Sequence, residues 1–328
     1  MTTQIYYHKG CPDGQLGAWI AYHFYKDSGS IELIAFTYAD EKIPDVTGVE
    51  SVVIVDFSFS PEVLFQMADQ ARNVVWLDHH QTAIDAWKTF LERDFDAQGI
   101  PDNLKYDLSE DNSRSGAMLA FDWFVAETLS DEWNWPMPES DLEKLVRCVD
   151  NRDRWVRDGD GNWKIPDVDE VVGALMSTEF TIEAWDALLE DGFDAVVKTG
   201  AGIEKYRNRL IETHVAQAFP FVLEGQRIHL VNAPHSIASE VCARLCAEFP
   251  GEPFSGYFFV MPDHVQFGLR SASNGADVGN LATLFGGGGH THASGFSLPL
   301  DCLVDLGCTV GSKGVRSLDS SWYRNAVK

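Results

Sequence analysis

The sequence predicts an α/β protein in which a mainly parallel sheet is covered by helices. Three short apolar runs have the composition of buried strands: residues 4–8 (QIYYH), 51–58 (SVVIVDFS) and 73–82 (NVVWLDHHQT). Apolar residues recur at helical spacing after the first run, and Pro61 occupies the first position of a second helix. Residues 31–60 contribute two strands. The resulting order β-α-β-β-α-β is typical of a parallel sheet with helices packed on it.

Each of the three apolar runs ends in side chains of the types that can bind metal ions. The first run ends at His8, the second at Asp56 and the third at the triplet Asp78-His79-His80. In open α/β sheets, ligands bind at the carboxyl edge of the strands. A surface turn explains a single Asp-His-His triplet, but three strands that end in this way favour a site at that edge.

Further polar residues lie where predicted helices begin or end. Asp13 lies in the turn between the first strand and its helix, and Asp150 ends a later helix, with Asp153 following it. Ser115 precedes the apolar stretch 117–129, where it is suited to cap a helix or to bind phosphate beside the free amides. Capping alone explains such a hydroxyl. Residues 83–110 are polar, and we expect a helix and a surface connection there.

The length of 328 residues favours two domains, because a single core seldom grows that large. Residues 192–218 have few apolar anchors and are expected to form a long charged helix that joins the domains. Beyond it the pattern restarts with a strand, a helix and two strands. We therefore predict a first domain at 1–190, a linker helix at 191–225 and a second domain at 226–328.

The second domain contains four consecutive glycines, 286–289, followed by His290. Such a run suits neither a helix nor a strand interior, whereas its backbone amides can form a nest for an anion. A flexible hinge is the alternative explanation. Arg270 and the flanking histidines favour the anion site, because Arg270 and His290 would supply positive charge.

The composition restricts the ligands of the protein. Its formal net charge is −25, and so acidic a surface repels long duplex nucleic acid. Adaptation to salt or high solubility also explains this charge, but in each case a phosphate substrate should be small. The six cysteines form no Cys-x-x-Cys pair, so we expect reduced thiols. The N-terminus lacks a secretion signal and no apolar stretch is long enough to span a bilayer, which predicts a cytoplasmic protein.

Taken in their order along the chain, the motifs described above resemble those of the DHH phosphoesterase superfamily with a C-terminal DHHA1 domain. That group includes the RecJ-type exonucleases and the nanoRNase/pAp phosphatases. The resemblance extends over residues 6–299, and it is the order of the motifs that makes it specific. The motifs are Asp56 at a strand end, DHH at 78–80, SGA at 115–117, Asp150, RS at 270–271 and GGGH at 287–290.

The resemblance implies a catalytic α/β domain with a five-stranded, mostly parallel sheet. A linker helix would join it to a smaller α/β substrate-binding domain, with the active site in the cleft between them. The implied reaction is phosphoester hydrolysis with one or two Mn²⁺ ions. Oxygen and imidazole ligands suit Mn²⁺ and also Mg²⁺. The metal ligands expected at the matching positions are His8, Asp13, Asp56, His79 and Asp150.

The expected catalytic residues are His80 and Asp78. His80 would contact the phosphate or protonate the leaving oxygen, and Asp78 would orient His79 or His80. The residues expected to bind substrate are Ser115, Arg270, Ser271, Gly287, Gly288, Gly289 and His290.

One position departs from the family pattern. The first motif of the family carries Asp-x-Asp, and the matching residues here are Cys11 and Asp13. The ion held by His8 would therefore lack one carboxylate. A single-metal site, one weak metal or a partly disabled site all fit this change.

The predicted function is metal-dependent hydrolysis of short oligonucleotides or small nucleotides, including exonuclease activity from either end. Polyphosphate and cyclic dinucleotides are alternative substrates. A non-catalytic nucleotide-binding protein with a degraded metal site is the alternative from another class. The sequence leaves the number of metals and the oligomeric state open, with a homodimer as one option.

Overall fold

The computed structural model describes residues 1–38, 40, 43–94, 99–125, 134–301 and 316–318. Contacts divide the chain into two compact units, Met1–Glu204 and Lys205–Lys328. Within the described ranges, none of the helices combines the length and the apolar character that crossing a bilayer requires.

The first unit is built on five parallel strands in the order β2-β1-β3-β4-β5. All five residues of β3 are buried, because helices cover both faces of the sheet. Successive side chains of β3 alternate between two hydrophobic cores, one containing Val53 and Val55 and the other Val52 and Ile54. The strands are β1 (Thr2–His8), β2 (Ser30–Phe36), β3 (Ser51–Val55), β4 (Asn73–Asp78) and β5 (Leu104–Leu108).

The helices of the first unit begin where the sequence provides caps. Pro61 starts α2, and the Ser60 side chain accepts a hydrogen bond from the Val63 amide at 3.4 Å. A single π-helical turn, Phe121–Val125, follows α4 directly. The helices are α1 (Pro12–Tyr25), α2 (Pro61–Gln70), α3 (Gln81–Asp94), α4 (Gly116–Ala120), α5 (Glu139–Asp153), α6 (Val168–Ser177), α7 (Ile182–Leu189) and α8 (Phe193–Val215), of which α8 continues into the second unit.

The second unit contains a mixed sheet in the order β10-β11-β9-β8-β7-β6-β12. Its core includes Phe221, Phe254 and Phe267. The strands are β6 (Phe219–Leu223), β7 (Gln226–Asn232), β8 (Ser255–Val260), β9 (His264–Arg270), β10 (Gly288–His290), β11 (Ala293–Pro299) and β12 (Arg316–Leu318). The helices are α9 (His235–Glu248) and α10 (Val278–Thr283).

The β-α-β-β-α-β order through residue 80 is confirmed, and so is the parallel sheet. Two local expectations were wrong. Residues 83–110 contain the strand β5, which pairs with β4, in addition to a helix. Three residues of the glycine-rich segment form the strand β10, which is possible because β10 lies at the sheet edge and pairs only with β11. Residues 126–129 of the predicted helix 117–129 lie outside the described residues.

Candidate metal centre

The ends of three neighbouring strands bring the predicted ligands to one edge of the sheet. Tyr7 pairs with Val55, and Val55 pairs with Leu77, so the next residue of each strand lies at the same level. Those residues are His8, Asp56 and Asp78. Asp56 has a φ of 54°, a conformation that is rare for residues other than glycine and that often marks functional sites.

Asp56 is the buried carboxylate at the centre of this edge, with only 1% of its surface exposed. Its Oδ1 lies 3.3 Å from His79 Nε2. Its Oδ2 lies 3.6 Å from His8 Nδ1, which is too far for a hydrogen bond, and has no hydrogen-bond partner among the described residues. A buried carboxylate oxygen without a partner is costly, so this atom is suited to accept a cation.

His79 points one ring nitrogen at a carboxamide and the other at three acids. Nδ1 lies 3.1 Å from Asn112 Oδ1, which favours the tautomer that carries its proton on Nδ1. Nε2 lies 3.2 Å from Asp153 Oδ2 and 3.9 Å from Asp13 Oδ2. Nε2 therefore faces the acidic cluster, where a bound cation could take the place of its proton, which is the arrangement of a metal-binding imidazole.

Asp13 is held in place by hydrogen bonds from the start of α4. Its carboxylate accepts hydrogen bonds from the Ser115 hydroxyl at 2.5 Å, the Gly116 amide at 2.6 Å and the Ala117 amide at 3.0 Å. A Cβ at Gly116 would lie 2.6 Å from the Asp56 Cβ and 2.9 Å from Asp13 Oδ2, so only glycine allows both acids to approach. Ser115 is completely buried, and its hydroxyl therefore positions Asp13.

The acids repel one another strongly enough to alter their protonation. Burial, together with the charges of Asp56 and Asp153, raises the pKa of Asp13 well above its usual value. Burial and the charge of Asp56 also raise the pKa of Asp153 to about 6. Burial opposes the charge on His79, but the surrounding acids outweigh it and raise its pKa to about 10. A centre that stabilises a protonated imidazole in this way attracts cations.

His80 lies beside this cluster and is anchored by Asp78. Its Nδ1 lies 2.7 Å from Asp78 Oδ1, and Asp78 Oδ2 accepts a hydrogen bond from the Ser58 hydroxyl. Burial opposes the charge on His80, but the hydrogen bond and the charge of Asp78, together with the charge of Asp56, outweigh burial and raise the pKa of His80. The side chain is 31% exposed, so the imidazole also faces solvent.

Asp150 and Asp153 both lie in the last turn of α5, and only Asp153 contacts the imidazole of the cluster. Asp150 accepts hydrogen bonds from Arg154 Nε at 2.8 Å and Nη2 at 2.5 Å, and from the Ser115 amide at 2.9 Å. Its oxygens are thus already occupied by donors. Asp153, which the sequence did not predict as a metal ligand, contacts His79.

The residues present fit a divalent cation. Their candidate ligand atoms form overlapping groups in which all atoms lie within 4.8 Å of one another. Apart from the sulfur of Cys11, the donors are carboxylate oxygens and imidazole nitrogens, which suit Mn²⁺ or Mg²⁺. Among the described residues, the groups are His8, Cys11 and Asp56; Asp13, His79 and Asp153; and Asp56, Asp78, His79 and His80.

No family model matches the chain. An uncharacterized protein of Acanthamoeba polyphaga mimivirus, R106, is 24% identical over 330 residues, covering 92% of this chain and 70% of that protein. Among solved structures, the pGpG-specific phosphodiesterase PggH from Vibrio cholerae aligns over 99% of this chain and 100% of its own, with 13% identity and a TM-score of 0.55. The chain shares the fold of this phosphodiesterase, which is the DHH phosphoesterase fold.

RecJ from Thermus thermophilus, in a complex with Mn²⁺, is another similar structure. It is 14% identical, with a TM-score of 0.48, and the alignment covers 97% of this chain and 53% of RecJ. The fold class predicted from the sequence, a mainly parallel α/β domain followed by a second α/β unit, is confirmed.

Cys11 is the position at which this DHH-fold protein departs from the motif pattern. Its sulfur lies 4.0 Å from Asp153 Oδ1, and it belongs to the group formed with His8 and Asp56. Burial and the charges of Asp56 and Asp153 raise the pKa of this thiol well above its usual value. The thiol is therefore neutral at physiological pH when no cation is bound.

The predicted substrate-binding residues of the second unit lie together at one end of β9, β10 and β11. The Arg270 guanidinium donates to the Leu269 carbonyl at 2.8 Å and to the Ser239 hydroxyl at 3.1 Å. The Ser271 hydroxyl lies 2.9 Å from His292 Nδ1. Gly288, Gly289 and His290 are exposed in β10, and Gly289 has a φ of 141°.

Gly287 has a packing role. A Cβ there would lie 2.1 Å from the Gly295 carbonyl oxygen. The expected anion nest is therefore a short edge strand that requires glycine for close contact with β11. Its exposed residues remain candidates for binding substrate.

Sequence reasoning missed three residues that shape the site: Asn112, Asp153 and Arg154. Asp153 carried a signal, because it lies three residues after Asp150 and so on the same side of a helix. Arg154 lies four residues after Asp150, which is the spacing of a helical ion pair. Asn112 gave no such signal, since only the fold brings it to His79.

Proposed function

We propose that this protein is a metal-dependent phosphoesterase that hydrolyses short oligonucleotides or small nucleotides. The observation that carries the proposal is Asp56 Oδ2, a buried carboxylate oxygen with no hydrogen-bond partner among the described residues. Two groups of ligands meet at this acid, one with His8 and one with His79. A buried negative charge in this position is best explained by a cation that the folded chain has evolved to bind.

Asp13, Asp56, His79 and Asp153 would hold the first ion, and His8 with Asp56 would hold a second. We therefore propose Asp153, and not the predicted Asp150, as the ligand from α5. The bound ion would lower the pKa of water and offset the charge on the phosphate oxygens. Mn²⁺ or Mg²⁺ fits the oxygen-rich ligands, and Mn²⁺ is our first choice because imidazoles lie among them.

The protein residues contribute orientation and a proton. Asn112 holds His79 in the tautomer that leaves Nε2 available. Asp78 fixes the His80 ring through Nδ1, so Nε2 of His80 is the nitrogen that can donate to substrate. When water attacks phosphorus and the ester P–O bond breaks, His80 would give its proton to the leaving oxygen.

The acidic charge of the chain supports a small substrate. A net charge of −25 opposes long polyanions, whereas a di- or trinucleotide has few phosphates. PggH, which shares the fold, is named for the dinucleotide pGpG. Arg270, Ser271, Gly287, Gly288, Gly289 and His290 remain our candidates for binding a terminal phosphate or the following nucleotide.

The test is a substrate panel incubated with Mn²⁺, Mg²⁺ or EDTA. The panel contains 5′-labelled dinucleotides including pGpG, longer oligomers, pAp, cyclic dinucleotides and tripolyphosphate, with products resolved by mass. We expect Mn²⁺-dependent hydrolysis of dinucleotides, which EDTA abolishes. Fast hydrolysis of tripolyphosphate alone would favour a polyphosphatase. Nucleotide binding without hydrolysis of any substrate would favour the non-catalytic alternative.

Matched variants link the activity to the proposed centre. His79→Ala removes an imidazole that faces acids, and it should reduce turnover by at least about 100-fold. His264→Ala removes a surface imidazole that also pairs with an acid, Asp263, at 2.7 Å, and should leave turnover unchanged. Wild-type turnover in His79→Ala under the same metal conditions would contradict the assignment.

A further inference from the structure

An exposed aromatic ring lies against the imidazoles of the proposed centre. Tyr38 follows β2, and 57% of its surface is exposed. Its ring centroid lies 5.7 Å from that of His8 and 5.9 Å from that of His80. The strand sequence did not single out this residue, because it lies in the loop beyond the predicted strand.

The contacts of Tyr38 leave a large part of its ring open. Phe57 supports the ring with a centroid distance of 4.7 Å and an interplanar angle of 31°. The imidazoles of His8 and His80 meet it at steep angles of 67° and 72°. Although these three rings pack against it, 57% of the Tyr38 surface is exposed, so the ring remains accessible to a ligand.

Phe57, which packs against Tyr38, belongs to the core, whereas Tyr38 does not. Phe57 is 3% exposed and lies in a hydrophobic cluster whose members do not include Tyr38. An aromatic side chain that packs on a buried ring while much of its own surface stays exposed is typical of a surface that binds a flat ligand. Its position next to His80 places that surface beside the atoms that would meet the phosphate.

We propose that Tyr38 stacks against a nucleobase adjacent to the phosphate that is hydrolysed. The proposal rests on the proposed function and names its substrate class: nucleotides that carry a base next to the scissile bond. Inorganic polyphosphate has no π-face and would gain nothing from this ring. Stacking of one base on an aromatic side chain changes affinity by about 5- to 150-fold.

Three variants separate stacking from other roles of this residue. Tyr38→Leu removes the aromatic face and keeps an apolar side chain, and because Tyr38 is exposed the fold should be retained. Tyr38→Phe keeps the face and removes the hydroxyl, so it should rescue the affinity. Tyr206→Leu is the matched control, since Tyr206 is 65% exposed on α8 and contributes no ligand atom to the groups described above.

The ligands are two 5′-phosphorylated dinucleotides with a methylphosphonate linkage, which resists hydrolysis. One carries 2-aminopurine and adenine, and the other lacks both bases. Binding is followed by 2-aminopurine fluorescence, which stacking quenches, and by calorimetry for the abasic ligand. In parallel, KM and kcat are measured with diadenylate and its abasic analogue in Mn²⁺.

We expect quenching in the wild type, and a dissociation constant that rises at least fivefold in Tyr38→Leu for the base-containing ligand only. KM for diadenylate should rise similarly with kcat changed less than twofold, while Tyr38→Phe and Tyr206→Leu remain within twofold of wild type. If Tyr38→Leu weakens both ligands equally, or changes neither, the stacking role is wrong. Absence of binding or of quenching in the wild type also overturns it.

This design separates the two proposals. If the wild type hydrolyses no substrate but quenching depends on Tyr38, the phosphoesterase proposal fails and the stacking proposal stands. If hydrolysis is Mn²⁺-dependent and Tyr38→Leu has wild-type KM on diadenylate, the stacking proposal fails and the phosphoesterase proposal stands.

Discussion

At the scale of single residues, we expect Cys11 to determine how strongly a second ion would be held. It lies among His8, Asp56 and Asp153, where a carboxylate would add a charged oxygen ligand. The neighbouring acids keep the thiol protonated, so it must lose a proton before it can bind a cation. We therefore favour a second ion that is weak and dispensable over a thiolate ligand.

Changing Cys11 to aspartate should tighten the metal on the His8 side. We expect Cys11→Asp to raise the Mn²⁺ content toward two ions per chain, with equal or higher activity, and Cys11→Ser to leave the metal content unchanged. Elemental analysis of the three proteins after dialysis against Mn²⁺ measures this. A wild type that holds two ions and loses one in Cys11→Ser would show that the thiolate is a ligand.

We expect Gly116 to tolerate substitution as poorly as a metal-binding residue does, although it has no side chain that could bind a cation. A Cβ at this position would press on Asp56 and Asp13, so Gly116→Ala should cost about 1–3 kcal/mol of stability and lower turnover by more than tenfold. Gly159→Ala is the control, because no atom lies within 4 Å of its added Cβ. Thermal unfolding and turnover are compared for both, and equal values would refute the steric account.

At the scale of elements, the end of α5 carries two acids with different partners. Asp150 forms an ion pair with Arg154, and Asp153 faces His79. The helix places both acids toward the site, and the neighbouring side chains decide which of them is free to bind a cation.

The corresponding variants should fail in different ways. Asp153→Asn should lower Mn²⁺ affinity by at least about tenfold with little change in the melting temperature. Asp150→Asn should lower the stability by about 1–3 kcal/mol, because the Arg154 guanidinium loses its charged partner. Isothermal titration with Mn²⁺ and thermal unfolding give the two quantities, and a reversed pattern would restore Asp150 as the ligand.

A buried histidine links α1 and α7, and we expect it to make the stability of the first unit depend on pH. His23 is 5% exposed, its Nε2 lies 2.8 Å from Asp186 Oδ1, and its Nδ1 has no hydrogen-bond partner among the described residues. Burial lowers the pKa of His23 below its ordinary 6.5, an effect that Asp186 only partly opposes. The folded state therefore favours the neutral ring.

Because the pKa is lower in the folded state, the contribution of His23 is complete above pH 6.5 and decreases as the pH falls toward the folded pKa. We expect His23→Phe to reduce the loss of unfolding free energy between pH 7.5 and pH 5. Urea unfolding across this range measures it for both proteins. An identical pH dependence in the variant would show that His23 does not contribute.

The strands that carry the site were predictable because of their composition. The runs ending at His8, Asp56 and Asp78 are continuous and apolar, so their register alone brings the ligands together. The strand β5, LKYDL, carries two charges at the sheet edge and gave no such pattern. The proposed role of Asp153 depends on the ion pair between Arg154 and Asp150. The four-residue spacing suggested that ion pair, but the sequence could not show whether Asp150 binds Arg154 or a metal ion.

At the scale of the whole molecule, the acidic charge and the proposed cation centre are consistent with each other. Divalent cations are attracted to a chain with a net charge of −25, whereas long nucleic acids are repelled. The sequence predicted two units, because the hydrophobic pattern restarts after a charged helix. The contacts within each unit were not predictable, since they join residues far apart in the chain.

The central claim is that Asp56 and His79 hold a divalent cation. Diffraction from crystals soaked in Mn²⁺, collected on both sides of the manganese absorption edge, locates the ion directly. We predict an anomalous peak in contact with Asp56 Oδ2 or His79 Nε2 that is absent in His79→Ala and retained in His264→Ala. A wild-type map with no peak at these atoms, or with manganese bound only elsewhere, would contradict the account.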